Sequence, residues 1–131
     1  MWREFFIQTN RHTEFQNITE LVLEAVANSG LRDGICAVFI PHTTAGVTVN
    51  ENADPDVIAD LQRALTEITP RIPYRHAEGN SPAHLQASLV GSSVTLPIMG
   101  GRLVLGTWQG VYFCEFDGPR RRRVMVACSA G

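Results

Sequence analysis

The sequence predicts an α+β fold in which a curved, largely antiparallel sheet carries two to three helices. Three observations support this prediction. Helical apolar periodicity is confined to the first two thirds of the chain, the last third consists of strands joined by glycine-containing turns, and the length of 131 residues suits one domain over residues 1–131. A (β/α)₈ barrel, which needs about 250 residues, is excluded.

The first elements alternate between strand and helix. Residues 4–9 predict a strand. Asn17 is placed to cap a helix, with Glu20 three positions later completing a capping box, and Gly30 ends that helix. The continuous apolar residues 35–40 predict a strand that is covered on both faces.

The middle of the chain contains the clearest helix. The alternating residues 45–49 predict a strand before it. Asp54 is the expected N-cap of a helix that begins at Pro55 and ends before Pro70. A polar loop follows, and Ser81 is the expected cap of a short helix. The last third predicts strands over residues 93–98, 102–116 and 121–128.

The composition restricts both the chemistry and the environment. The formal net charge is -2 and all 11 basic side chains are arginine, so a lysine Schiff base or a P-loop lysine is excluded. Charged residues make up 18% of the chain, below the about 25% of typical globular proteins, which favours an oligomer. No secretory signal or membrane-spanning stretch is present. We therefore expect a cytoplasmic protein without a membrane partner.

Three histidines are candidates for a metal site. His42, His76 and His84 lie at predicted element ends or in the polar loop, beside carboxylates, amides or hydroxyls. Neutral imidazole is a common ligand of divalent transition metals, and three such ligands leave a position for water or substrate. Their spacing matches no metal-binding motif. Three separately hydrogen-bonded structural histidines are therefore an equally good interpretation.

The acidic segment 50–56 lies between a predicted strand and a predicted helix. Helix capping and the helix dipole explain Asp54 and Asp56. Glu51 has no such explanation. It is a candidate general base, a partner that orients a metal-bound histidine, or a magnesium ligand together with Asp54 and Asp56. A glutamate in a surface turn is the alternative.

Two segments are candidates for substrate binding. Asn80 and Ser81 lie at the start of a predicted helix, where free backbone N–H groups attract phosphate or carboxylate. A turn followed by a helix cap is the simpler interpretation. Thr107, Trp108 and Gln109 lie between two glycines that interrupt a long strand. The indole and the amide are suited to stack on, and hydrogen-bond to, a heteroaromatic ring.

The run from Arg120 to Arg123 is the most basic feature of the chain. Nucleic-acid binders carry clustered positive charge on a basic domain, whereas this chain is slightly acidic and lacks a nucleic-acid-binding motif. We expect a solvated hairpin end and no nucleic-acid partner. Phosphate capture and an ion pair between subunits are the alternatives.

Four ordered motifs extend over essentially the whole chain. They are His42-Thr43-Thr44-Ala45-Gly46, Asn50-Glu51-Asn52-Ala53-Asp54-Pro55-Asp56, Tyr74-Arg75-His76-Ala77-Glu78-Gly79-Asn80 with Ala83-His84, and Gly106-Thr107-Trp108-Gln109-Gly110 leading to Glu115-Phe116-Asp117. In this combination the chain resembles the YjbQ family, often labelled secondary thiamine-phosphate synthases. The resemblance implies an α+β fold with a curved sheet, assembled as a homotrimer with a polar pocket near the subunit contacts.

The resemblance also implies an activity and a cofactor. The reaction joins a hydroxymethylpyrimidine diphosphate to a thiazole phosphate and releases pyrophosphate. His42, His76 and His84 would hold a divalent metal, zinc or a similar ion, with Mg²⁺ as the alternative. The catalytic candidates are then Glu51, Asp54 and His84, and the substrate-binding candidates are Asn80, Ser81, Thr107, Trp108 and Gln109.

Two other functions stay open. A metal held by histidines suits a metal-dependent hydrolase that activates water. A non-catalytic trimeric module that binds a phosphorylated or heteroaromatic metabolite would need the same pocket without turnover. For the transfer reaction that the resemblance implies, the expected partner is a small phosphorylated substrate.

Overall fold

Eleven elements follow one another along the chain, and the computed structural model describes residues 1–131. The strands are β1 (Trp2–Gln8), β2 (Glu14–Asn17), β3 (Gly34–Phe39), β4 (Ala45–Glu51), β5 (Ser93–Met99), β6 (Arg102–Leu103), β7 (Gln109–Glu115) and β8 (Arg121–Ala130). The helices are α1 (Thr19–Ser29), α2 (Pro55–Ile68) and α3 (Ser81–Val90). The predicted α+β class is confirmed, with three helices. None of these helices is long and apolar enough to cross a membrane.

The strands form two sheets. One has five strands in the order β1-β8-β3-β5-β6, and the other has three in the order β2-β7-β4. Every strand pair is antiparallel, as predicted. Most of these pairs join segments that are distant in sequence. The arrangement of β7 and β8 therefore determines where the ends of β1 and β4 lie.

Strand β7 is the most buried element, because every residue from Gly110 to Glu115 lies inside the protein. Successive side chains of a strand face opposite ways. Phe113 packs into the main core with α1 and the five-stranded sheet, whereas Cys114 packs against Ala83 and Ala87 of α3. Full burial of a large apolar side chain stabilises a fold by roughly 1.5 to 3 kcal/mol. Because its two faces pack into different clusters, β7 connects the main core to the α3 cluster.

The single strand predicted over residues 102–116 is wrong, because this segment forms two strands in different sheets. β6 pairs with β5, and β7 pairs with β2 and β4. Between them, the backbone N–H of Gly106 donates to Oε1 of Gln109 at 2.7 Å and closes a turn. A Cβ at Gly110 would lie 2.9 Å from the Asn52 side chain. Glycine at this position therefore permits the close approach of the two segments.

Helix capping agrees with the prediction for α2 and differs for α1. Oδ1 of Asp54 accepts from the backbone N–H of Asp56 at 2.9 Å. Asn17 lies at the end of β2, a short strand that the sequence did not predict, and its Oδ1 accepts from the backbone N–H of Thr19 at 3.0 Å. No side chain caps α1, so the predicted capping box with Glu20 is absent. Asn17 fixes the turn from β2 into α1 instead.

At Gly46, strand β4 packs closely against the end of α3. A Cβ there would lie 2.5 Å from the carbonyl oxygen of Gly91 and 3.2 Å from Cγ1 of Val90. Gly46→Ala should therefore lower the free energy of unfolding, measured with urea, by about 1 to 3 kcal/mol, as in other overpacked cores. In the control Gly106→Ala the new Cβ would meet only the Gln109 side chain. An equal loss in the control would contradict this explanation.

Candidate functional site

A polar cavity of about 720 Å³ lies between the segment that joins β3 to β4, the start of α3 and the start of β8. Four of the predicted site residues line it: His42, His76, Asn80 and His84. Thirteen residues line the cavity and only two of them are hydrophobic. They are Phe39, Ile40, Pro41, His42, Thr43, Thr44, His76, Glu78, Asn80, His84, Ser92, Arg120 and Arg122.

His42 is anchored to the backbone of β8. Its Nε2 accepts a hydrogen bond from the backbone N–H of Arg123 at 2.9 Å. Burial is the largest of the effects that lower the pKa of His42 below 6.5, and the charges of Arg122 and Arg123 lower it further against the opposing effect of Glu115. His42 is therefore a neutral imidazole at neutral pH.

His76 and His84 form an edge-to-face pair. Their ring centroids are 5.6 Å apart and their planes make an angle of 80°. His84 is in the first turns of α3, and His76 belongs to the polar loop before it, where its Nε2 lies 3.9 Å from Oε1 of the exposed Glu78. Two imidazoles from different segments thus lie on the same side of the cavity.

Asn80, and not Ser81, occupies the N-cap position of α3, and Ser81 is the first residue of the helix. The Asn80 side chain caps nothing, because its Nδ2 donates to Oδ2 of Asp117 at 3.1 Å. Its Oδ1 is buried without a hydrogen-bond partner. The backbone position of Asn80 at the start of α3 fits the prediction that it cradles an anion. Its side chain does not, because the atom without a partner, Oδ1, is an acceptor and would repel an anion.

A buried ion pair lies at one wall of the cavity, which Arg122 lines. The exposed fractions of the Glu115 and Arg122 side chains are 0% and 3%. Nε of Arg122 donates to Oε1 of Glu115 at 2.8 Å, and Nη2 donates to Oε2. Oε1 also accepts from the Thr9 hydroxyl at 2.7 Å, and Oε2 accepts from the backbone N–H of Asp117 at 3.1 Å. Nη2 of Arg122 also donates to the Thr44 hydroxyl at 2.8 Å.

These hydrogen bonds decide the charge of Glu115. Burial acts to raise the pKa of this carboxyl, but the hydrogen bonds from Arg122, Thr9 and the Asp117 backbone outweigh it, so the pKa lies below 4.5. Glu115 is therefore ionised at neutral pH, and its charge balances that of Arg122. Glu115 belongs to the motif Glu115-Phe116-Asp117, but no local sequence pattern indicates that its side chain is buried.

The prediction of a solvated hairpin end holds for Arg120, Arg121 and Arg123, which are exposed, and is wrong for Arg122, which is buried. Because side chains alternate along β8, Arg122 faces the interior while Arg121 and Arg123 face outward. Each of the four guanidinium groups has its own partner within the chain. The partners are Asp117 for Arg120, the Phe6 ring for Arg121, Glu115 for Arg122 and Glu4 for Arg123.

The remaining predicted site residues lie at the opposite end of β4. In the pairing of β4 with β7, Ala45 is opposite Glu115, whereas Glu51 is opposite Gln109. Six residues of strand correspond to about 20 Å. Within one chain this distance separates the cavity from the predicted residues Glu51, Asp54, Thr107, Trp108 and Gln109.

Glu51 has a structural explanation that the sequence did not reveal. Its Oε2 accepts from the backbone N–H groups of Ala53 and Asp54, at 3.2 Å each. The carboxylate thereby stabilises the turn that leads into α2. Trp108 projects from the adjacent turn with 63% of its surface exposed. Neither side chain contacts the cavity of its own chain.

The fold and these motifs agree with one set of known proteins. The sequence model described as UPF0047 protein YjbQ-like matches residues 3–131. The chain belongs to the YjbQ/UPF0047 family. A UPF0047 protein of Methanocaldococcus jannaschii is 48% identical over 124 residues, which cover 94% of this chain and 90% of that protein. YugU of Bacillus subtilis is 47% identical over 128 residues, which cover 96% and 97%.

Solved YjbQ-family structures have the same fold. A family member from Clostridium acetobutylicum is 52% identical and has a TM-score of 0.94, over 97% of this chain and 99% of that chain. A YbjQ-like protein from Sulfolobus solfataricus is 32% identical with a TM-score of 0.95, over 100% and 97%. These matches confirm the resemblance and the fold predicted from it.

The three histidines of this YjbQ-family chain do not form a metal site on their own. No three His, Cys, Asp or Glu side chains are grouped so that they could hold one metal ion. The lone pair of Nε2 in His42 is occupied by a backbone N–H. The carboxylates of Glu115 and Asp117 are paired with arginines. The residues of one chain therefore do not fit the divalent metal that the resemblance implies.

Removing the cation of the buried pair tests its contribution to stability. Arg122→Met leaves Glu115 buried and unpaired, so the free energy of unfolding in urea should fall by about 3 to 5 kcal/mol at neutral pH. Because the pKa of Glu115 lies below 4.5 in the fold, the wild-type contribution is complete above that pH and is lost as the pH falls towards the folded-state pKa. The double variant Arg122→Met/Glu115→Met should recover most of the loss. Simple addition of the two single losses would contradict coupling between the side chains.

Proposed function

We propose that the protein is an enzyme that transfers a group from a small organic diphosphate, as in the secondary thiamine-phosphate synthases that the sequence resembles. The observation that carries this proposal is the polar cavity with its many hydrogen-bond donors. Its volume of about 720 Å³ is within the range of about 300 to 1,000 Å³ that is usual for small-molecule sites. Hydroxyl donors come from Thr43, Thr44 and Ser92.

The reaction defines what the cavity must do. The bond between the pyrimidine methylene carbon and the diphosphate oxygen breaks, and its electron pair leaves with pyrophosphate. The thiazole nitrogen then forms a bond to that carbon with its own lone pair, so no proton has to be removed. The site therefore needs donors that stabilise charge on the departing pyrophosphate and walls that hold the two rings in line.

The arginines of the cavity retain donors for such a group. A guanidinium has five N–H donors. Arg120 uses its Nε and Nη2 on Asp117, at 2.8 and 2.9 Å. Arg122 uses Nε and Nη2 on Glu115 and Thr44. The Nη1 groups of both arginines make no hydrogen bond within the chain, so each is available to a phosphate oxygen.

His76 and His84 have no required role in moving a proton in this transfer. Their edge-to-face pair instead supports a role in holding a ring or a phosphate oxygen. A metal-dependent hydrolase finds less support, because no three His, Cys, Asp or Glu side chains of one chain are grouped so that they could hold a metal ion. A binding module without turnover would use the same contacts. A turnover measurement distinguishes such a module from the proposed enzyme.

Pyrophosphate binding and product formation test the proposal together. Pyrophosphate should bind in a calorimetric titration, and Arg120→Gln should weaken that binding about tenfold or more, since a charge-assisted hydrogen bond contributes about 1.5 to 3 kcal/mol. The control Arg63→Gln removes an exposed arginine of α2 that contacts only Asp60 and should bind as the wild type does. Supplied with hydroxymethylpyrimidine diphosphate and thiazole phosphate, the protein should form thiamine phosphate. Binding without turnover would identify a binding module, and no binding would overturn the proposal.

We also propose that the chain assembles as the homotrimer that the resemblance implies. The outer face of the five-stranded sheet supports this, because its large apolar side chains are exposed. A groove on that face shares Phe39 and Pro41 with the polar cavity, so a subunit packed there would lie beside the site. The exposed apolar residues are Trp2, Phe6, Ile35, Phe39 and Met99.

A charge placed on this face should prevent assembly. Light scattering after size exclusion should give three times the chain mass of 14.4 kDa for the wild type and one chain mass for Ile35→Arg, because an arginine would be buried without a partner. Leu23→Arg, on the exposed side of α1, is the matched control and should remain trimeric. A monomeric wild type would contradict the assembly.

A further inference from the structure

His42 takes the place of a missing strand partner. Strand β3 ends at Phe39, which lies opposite Met125 of β8. The backbone N–H of Arg123, two residues earlier in β8, therefore faces no strand carbonyl on this side. The imidazole of His42 supplies the acceptor through Nε2 at 2.9 Å. The imidazole thereby pairs a backbone N–H at the exposed start of β8 that no strand carbonyl reaches.

This hydrogen bond determines where the imidazole carries its proton. A neutral imidazole has one N–H donor and one lone pair, and the bond made by one nitrogen sets the state of the other. Because the lone pair of Nε2 faces the Arg123 N–H, the proton is on Nδ1. Nδ1 makes no hydrogen bond within the chain, and the ring lines the polar cavity.

We infer that the fold locks His42 as the Nδ1–H tautomer, so that it serves as a fixed, neutral hydrogen-bond donor to an anionic oxygen in the cavity. It is then neither a metal ligand through Nε2 nor a general base. The identity of the acceptor, a phosphate oxygen, rests on the proposed function. The tautomer itself rests only on the contact with β8.

The charges around the ring favour the same state. Protonation of Nε2 would place its N–H against the N–H of Arg123 and break their hydrogen bond. The charges of Arg120, Arg122 and Arg123 also oppose a second positive charge, and only Glu115 favours it. A metal at Nδ1 would displace the proton, and the ring would then be either an imidazolate or the Nε2–H tautomer, which loses the hydrogen bond from Arg123. A neutral donor is the state that satisfies both nitrogens.

The tautomer can be measured without any ligand. In protein labelled with ¹⁵N-histidine, long-range ¹H–¹⁵N correlations should identify Nδ1 of His42 as the protonated nitrogen at neutral pH. Addition of pyrophosphate should shift the Nδ1 proton, and addition of equimolar Zn²⁺ should leave it in place. A proton on Nε2, or its loss from Nδ1 with zinc, would overturn the inference.

Two amide variants separate the two nitrogens of the ring. The terminal amide of asparagine can replace the donor at Nδ1, and that of glutamine can replace the acceptor at Nε2. His42→Gln should keep the stability of the wild type and bind pyrophosphate about tenfold more weakly. His42→Asn should bind within a few-fold of the wild type and be less stable to urea.

The reverse pattern would show that Nε2 is the functional atom and would overturn the inference. Failure of the wild type to bind pyrophosphate would overturn both the proposed function and the donor role. In that case the ¹⁵N measurement still decides the tautomer, so the two failures are distinguishable.

Discussion

The buried ion pair between Glu115 and Arg122 is the constraint on which the site depends. It joins the end of β7 in one sheet to the start of β8 in the other. A buried ion pair is favourable only when further hydrogen bonds satisfy it, and here Thr9 bonds to Glu115 and Thr44 bonds to Arg122. These contacts hold the end of β1 and the start of β4. They thereby position the segment that carries His42 over the cavity.

The same pair gives the cavity its electrostatic character. Because Glu115 balances Arg122, the wall presents oriented donors with little net charge. Arg120 is likewise balanced by Asp117, and His42 is neutral. Under the proposed function, such a site would bind an anion through donors that are already in position. Long-range attraction would contribute less to that binding than it would in a strongly basic groove.

Local signals predicted the elements that are stabilised locally. The cap and first residue of α2, Asp54 and Pro55, lie within one turn of each other, and the structure confirms them. The segment 102–116 was predicted as one strand because nothing in its own pattern shows that its two halves pair with different sheets. The burial of Arg122 could not be predicted either. Its partner Glu115 faces it only because both strands are placed by pairing with distant parts of the chain.

The candidate site could be predicted only in part, again because local sequence patterns do not show which distant segments meet. His42, His76 and His84 lie at element ends that the fold brings to one cavity, but only the structure shows that a backbone N–H uses the ring of His42. Glu51 and Trp108 were assigned to the same site because of the chemistry of their side chains and the resemblance to the family. An extended strand cannot bend its two ends together, and β4 keeps Glu51 about 20 Å from the cavity. Both ends of β4 can act on one ligand only if a second copy of the chain presents its Glu51 end to the cavity of the first.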